Sequence, residues 1–271
     1  MSTLLYGANV NANGIRQHYL RYGREGVDQP VMVLIPGITS PAITWGFVAE
    51  RLGEHYDTYV LDVRGRGLSS SGPDLDYDPT TCADDVRAFI AALGLTGVTL
   101  MGHSMGARFA VRAIARGLAE VKSVVLVDPP VSGPNRRAYP SKLPWYVDSI
   151  QQSQLGMSAE DMRVFCPTWT LEQRQLRAQW LHTCYEPAIV RAFNDFHDDD
   201  FHADLPRLQV PVVLIVAGKG GVIEPADESE MSELTPELSI HHVPDAGHMI
   251  PWDDFDGFFN ALAAAGLLKG E

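Results

Sequence analysis

The chain has 271 residues, 45% of them hydrophobic, and carries 21 Lys and Arg against 34 Asp and Glu, a formal net charge of −13 at pH 7. That length holds one α/β domain or two smaller ones. The acidic balance argues against nucleic acid or an anionic membrane as the main partner, and Cys82, Cys166 and Cys184, without metal-ligand spacing, suit a reducing compartment.

The first apolar run, Leu4-Leu5-Tyr6, is too short for a signal-peptide core. No stretch reaches the roughly 18 apolar residues of a membrane span, so a cytoplasmic protein is expected. Residues 6–23 predict a hairpin whose Asn13-Gly14 suits a type I′ turn. Pro30 to Ile35 is a continuous aliphatic run, as in a strand buried on both faces. The loop Pro36-Gly37-Ile38-Thr39-Ser40 ends it, and a helix follows with Trp45, Val48, Ala49 and Leu52 on one face. Tyr56 to Asp62 predicts the next strand, closing on Asp62-Val63-Arg64-Gly65-Arg66-Gly67-Leu68-Ser69. Thr80 or Thr81 is placed to cap a helix with the stripe Cys82, Val86, Phe89, Ile90 and Leu93, and Gly94 to stop it.

Val98 to Gly102 predicts a strand, a helix runs on to about Gly117, and Val121 to Asp128 predicts another strand. Alternating strand and helix patterns imply a mostly parallel sheet. From Pro129 to about Leu208 the strand-like runs stop. Trp145, Tyr146, Trp169, Trp180 and Tyr185 are scattered there among helical segments, of which Leu171 to Cys184 is one. A helical cap over residues 131–208 is expected, set into a core of residues 1–130 and 209–271. The strand pattern resumes at Pro211 to Ala217. A last strand, Ser239 to Val243, leads to Pro244-Asp245-Ala246-Gly247-His248, and a terminal helix presents Trp252, Phe255, Phe259 and Leu262 inward.

The chemistry centres on Gly102-His103-Ser104-Met105-Gly106. A Gly-x-Ser-x-Gly pattern between a strand and a helix is the context of a nucleophile elbow, which sets a serine hydroxyl on a strained turn. The glycines let strand and helix approach closely. Such a serine needs a base and an acid, in the chain order Ser, acid, His. His248, in the loop after the last strand, is the expected base. His103 reads as support, and His241 and His242 as strand residues.

Two strand ends could supply the acid. After Ala217 comes Gly218-Lys219-Gly220-Gly221, with no Asp, and Glu224 is the nearest carboxylate. The strand after the elbow ends in Asp128, on the rim where α/β sheets hold their ligands. Asp128 is the expected acid and Glu224 the reserve. The oxyanion hole needs two backbone N–H groups, expected from Met105 and Ile38.

Asp198-Asp199-Asp200, flanked by His197 and His202, matches no ligand spacing and reads as a solvated acidic loop. Asp62 and Arg64 read as supports of their loop. Arg108 could orient substrate or pair with a carboxylate.

Together the Asn13-Gly14 hairpin, the Pro36-Gly37 loop, Asp62-x-Arg64-Gly65-x-Gly67-x-Ser69, the elbow and Asp245-x-Gly247-His248 resemble the α/β-hydrolase fold family over essentially the full length. The resemblance implies an α/β fold with a mostly parallel eight-stranded sheet flanked by helices and a helical cap. Ser104 in the nucleophile position departs from haloalkane dehalogenases and epoxide hydrolases and stays with esterases, amidases and carbon–carbon hydrolases. Gly102 to Ala110, Asp128 and the Pro36 to Ser40 loop look more narrowly like the deformylases and amidases of small anionic ring-cleavage products. That likeness implies cleavage of an amide C–N bond through Ser104, His248 and Asp128, with no metal or organic cofactor. A small anionic substrate needs a cation in the cap or pocket, for which Arg108, Arg163, Arg174 and Arg177 are candidates. The alternatives are a carbon–carbon bond or enol-lactone hydrolase and a non-catalytic small-ligand receptor.

Overall fold

Asn13 and Gly14 both take positive φ, 50° and 73°, as a type I′ turn requires. They join β1 (Leu4–Ala12) to β2 (Ile15–Tyr22) in the computed structural model, which describes residues 2–268. The sheet is completed by β3 (Val31–Ile35), β4 (Asp57–Leu61), β5 (Val98–His103), β6 (Val121–Val127), β7 (Val212–Ala217) and β8 (Leu238–Val243). Its eight strands run in the order β1-β2-β4-β3-β5-β6-β7-β8. The β1/β2 and β2/β4 pairs are antiparallel, and every pair from β4/β3 to β7/β8 is parallel. Every residue of β5 and of β7 is buried, which accounts for apolar runs without alternation.

The helices are α1 (Gly46–Leu52), α2 (Pro79–Ala92), α3 (Met105–Ala115), α4 (Leu143–Gln154), α5 (Leu171–Trp180), α6 (Glu186–Asp198), α7 (Pro225–Leu234), α8 (Ile250–Asp253) and α9 (Phe255–Ala264). Three boundaries differ from the sequence expectation. Asp78, not Thr80 or Thr81, caps α2: its carboxylate accepts both threonine N–H groups, and Pro79 opens the helix. The segment from Leu171 breaks at Trp180 into a short 3-10 turn, Leu181–Thr183. The terminal segment breaks at Asp254, whose side chain accepts the Gly257 N–H. This restart turns Phe258 fully inward and leaves Phe255 half-buried.

Between β6 and β7 the described chain carries α4, α5, α6 and 3-10 turns but no strand. This inserted segment is tied to the sheet half by charge. Arg112 of α3 meets Asp199 and Asp204, each at 2.7 Å, and the Tyr185 N–H donates to the Gly65 carbonyl at 2.8 Å. Asp199 is therefore an anchor, and the expectation of a merely solvated acidic loop is corrected.

Candidate active site

Ser104 sits between β5 and α3 at φ 52°, ψ −119°, a strained backbone position. Its N–H is held by the Val127 carbonyl at 2.9 Å. A Cβ on Gly106 would fall 2.0 Å from the Ile35 carbonyl oxygen, and one on Gly102 2.5 Å from the Ala107 backbone. Only glycine permits these two approaches, so the elbow geometry follows from its two glycines.

Three of the expected residues, far apart in sequence, meet at the carboxyl ends of the strands. His248 Nε2 lies 2.9 Å from Ser104 Oγ, and its Nδ1 lies 2.7 Å from Asp128 Oδ2. Asp128 is fully buried, at φ 46°, and its Oδ1 accepts the Ala217 N–H at 3.2 Å. Glu224, the reserve acid, instead forms a capping box with Asp227 at the start of α7 and lies 3.4 Å from Arg137. Gly220, in the loop after β7, lies close to the Asp128 carboxylate. A Cβ on Gly220 would stand 2.8 Å from the Ala217 Cβ and 3.1 Å from Asp128 Oδ2.

His248 is held from several sides. Its carbonyl meets His103 Nε2 at 3.0 Å. The Gly247 N–H before it donates to Asp253 Oδ2 at 3.0 Å. His103 is buried, and desolvation, then the nearby His248, pushes its pKa down to about 3. It is neutral at working pH and donates from Nε2, the support expected of it. Burial raises the carboxyl of Asp253 above the usual range.

Met105 opens α3, where no intrahelical acceptor is available to its N–H. Ile38 lines the same cavity as Ser104. Neither N–H meets an acceptor among the described residues.

The cavity over Ser104 has a volume of about 400 Å³ and is walled by Gly37 to Ser40, Tyr139, Trp145, Tyr146, Phe165, Trp169, Arg177 and His248. Of the four candidate cations only Arg177 lines it. It is buried, donates to the carbonyl and hydroxyl of Thr39 at 3.1 and 3.0 Å, and lies over the rings of Trp145 and Trp169. Its Nε is buried without a partner, and no carboxylate pairs with it among the described residues. Arg108 points elsewhere. Its guanidinium donates to the carbonyls of Pro130, Ser132, Asp195 and Asp199 and pairs with the Asp199 carboxylate. Arg163 is an exposed partner of Glu160, and Arg174 is outside the cavity wall.

One polar group in the site was missed by sequence reasoning. Tyr139 places its hydroxyl 3.1 Å from His248 Nε2, and burial raises its pKa well above 10, so it stays a donor. A single tyrosine between Ala138 and Pro140 offers no motif, and only the fold brings it to His248. Asp62 and Arg64 support their loop as expected. Asp62 accepts the Ala42 and Leu68 N–H groups, and Arg64 pairs with Asp85. Among the described residues no His, Cys, Asp and Glu cluster could hold a metal ion, and no helix is long and apolar enough to cross a membrane.

Comparison with known proteins adds a chemical context. The family model described as alpha/beta hydrolase fold matches residues 30–255. The chain is 68% identical over 262 residues to N-formylmaleamate deformylase of Pseudomonas putida KT2440, covering 97% of each protein. It is 37% identical over 105 residues to the 2-(acetamidomethylene)succinate hydrolase of Mesorhizobium japonicum, a match covering 39% of this chain and 37% of that one. A crystal structure of a serine-to-alanine variant of the N-formylmaleamic acid deformylase of Pseudomonas putida S16 superposes with a TM-score of 0.91 at 51% identity. It covers 95% of this chain and 100% of that one.

Proposed function

The chain belongs to the α/β-hydrolase fold family, and from that membership we propose that it is a serine hydrolase that deformylates N-formylmaleamate to maleamate and formate. The observation that carries the reaction is the 68% identity, over nearly the whole of both chains, to a deformylase of that substrate. The linked contacts Ser104–His248–Asp128 support the mechanism.

In this reading Ser104 Oγ attacks the formyl carbon while its proton passes to His248 Nε2. Asp128, hydrogen-bonded at Nδ1, holds the ring and stabilises the imidazolium without taking the proton. The tetrahedral oxyanion accepts the Ile38 and Met105 N–H groups, each worth ~3 kcal/mol of transition-state stabilisation. The C–N bond breaks as His248 returns the proton to nitrogen, and maleamate leaves. Water then loses a proton to His248, attacks the formyl ester and releases formate and free Ser104.

Arg177 would hold the substrate carboxylate. Its charge has no carboxylate partner among the described residues, and its guanidinium borders the cavity between two indole rings, a dry setting that strengthens a charge-assisted hydrogen bond. Residues 131–208 act as a cap that supplies Tyr139, Trp145, Tyr146, Trp169 and Arg177 to the cavity wall. The three cysteines are free and buried, in keeping with a cytoplasmic location.

Formate release from N-formylmaleamate, followed with formate dehydrogenase, tests the reading. Stoichiometric formate with wild type and none with Ser104→Ala is the expected result. Turnover of a dienoic ketone without formate from the N-formyl amide would select the carbon–carbon hydrolase instead.

A further inference from the structure

Arg66 lies in the loop after β4 and is 1% exposed. Two other buried guanidiniums have carboxylate partners, Arg64 with Asp85 and Arg108 with Asp199, whereas Arg177 has none among the described residues but borders the cavity. Among the described residues Arg66 has none. A buried cation without a counter-ion is costly and persists only where its N–H groups are well matched. Here the acceptors are particular ones. Nε donates to the Ile38 carbonyl at 3.0 Å and Nη1 to the Arg64 carbonyl at 2.8 Å. Nη2 lies 3.4 Å from Met105 Sδ and 3.4 Å from the Ala188 carbonyl of α6.

Ile38 and Met105 are the two residues whose N–H groups are assigned above to the oxyanion hole. They come from different loops, after β3 and after β5, and are 67 positions apart in the sequence. One rigid, planar fork touches both. It also touches the inserted helices, which dock on the same loop through the Gly65 carbonyl.

We propose that Arg66 is a positioning residue for the oxyanion hole: its fork fixes the Ile38 loop and the start of α3 at Met105 relative to each other, and its charge, unpaired with a carboxylate among the described residues, favours the tetrahedral oxyanion over the neutral ground-state carbonyl. The proposal rests on the reading of Ser104, Ile38 and Met105 given above. A preorganised donor pair aimed at developing charge acts on the transition state and leaves ground-state binding unchanged. Arg66 therefore acts on kcat and leaves KM alone.

The experiment compares Arg66→Met and Arg66→Lys with wild type on N-formylmaleamate. Phenylboronate, which adds to a nucleophilic serine as a tetrahedral anion, serves as one inhibitor, and maleate, a ground-state anion, as the other. For Arg66→Met we expect kcat to fall at least 30-fold with KM within twofold. The phenylboronate Ki should rise in parallel and the maleate Ki stay unchanged. Arg66→Lys, which keeps the charge and loses the fork, should lie between. Unchanged kcat and boronate affinity in Arg66→Met overturn the proposal, as do KM and maleate Ki rising in step with the loss of kcat, the mark of a collapsed pocket. If Arg66→Met does not fold, Arg66→Lys decides: at least a fivefold loss of kcat at constant KM supports the role, and wild-type kcat overturns it. Failure of the underlying site reading looks different, because Ser104→Ala would then keep its turnover and wild type would not bind phenylboronate.

Discussion

Asp128 spans two strands: its Oδ2 lies 2.7 Å from His248 Nδ1 while its Oδ1 accepts the Ala217 N–H, so a carboxylate from the end of β6 is fixed by the backbone of β7. Bound at both oxygens and fully buried, it has no freedom to swing away from the imidazole. Asp128→Asn keeps the shape but presents an amide donor or a neutral acceptor to His248, which favours the wrong tautomer for accepting the Ser104 proton. The expected result is a loss of ~10³ to 10⁴ in kcat with a near-native melting temperature. Glu224→Gln should stay within about twofold of wild type, since a surface cap far from such features carries little.

Arg177 should separate binding of the anion from the chemistry. Arg177→Met removes the cavity-wall cation that has no carboxylate partner among the described residues. A hydrogen bond to a charged group is worth ~1.5–3 kcal/mol, so KM for N-formylmaleamate should rise roughly 10- to 150-fold. The same variant should hydrolyse a neutral formate ester at close to the wild-type rate. If the neutral ester slows equally, the contacts of Arg177 with Thr39 in the oxyanion loop matter more than its charge.

These two residues also mark how far the sequence could be read. Ser104, Asp128 and His248 were legible because each stands at a strand end, and strand ends are visible as apolar runs broken by Gly, Pro or Asp. Met105 and Ile38 were expected as oxyanion donors from the elbow and from the loop after a buried run, and that role stands as part of the proposed mechanism. Arg177 was named among four cations without a rank, because ranking needs the direction of a side chain on α5. Tyr139 and the Arg66 contacts were not legible at all. The Tyr139 partner is 109 residues away and those of Arg66 outside its own loop are 28, 39 and 122 away, and no local periodicity encodes such meetings. Helix ends failed for a smaller reason: Asp78 competes with two threonines for the same cap, and the carboxylate, the stronger acceptor at a helix N-terminus, wins.

Gly106→Ala tests whether the elbow needs glycine for space. The added methyl would sit 2.0 Å from the Ile35 carbonyl oxygen and 2.7 Å from that of Pro36, and both belong to backbone that cannot rotate away. Relief requires α3 to move off β3, which would shift Met105, the first residue of α3, relative to Ser104. Overpacking of this kind costs ~3 kcal/mol or more. Urea unfolding should show that loss of stability, together with a fall in kcat exceeding any change in KM.

His103 gives a pH prediction with a definite sign. Burial, and then the charge of His248, hold its pKa in the folded protein at about 3, against about 6.5 in an unfolded chain. Between those values the unfolded chain binds a proton that the folded chain refuses. Stability therefore rises with pH across that window and is lost as pH falls from about 6.5 toward about 3. The expected slope from this one ring is ~1.4 kcal/mol per pH unit, added to whatever the carboxylates contribute. His103→Gln, whose amide can still donate to the His248 carbonyl, removes the titration. The check is the difference in unfolding free energy between pH 7 and pH 5, which should shrink by about 2 kcal/mol in the variant. An equal difference in both proteins would mean that His103 takes up its proton over the same pH range folded as unfolded, and the burial argument would fail.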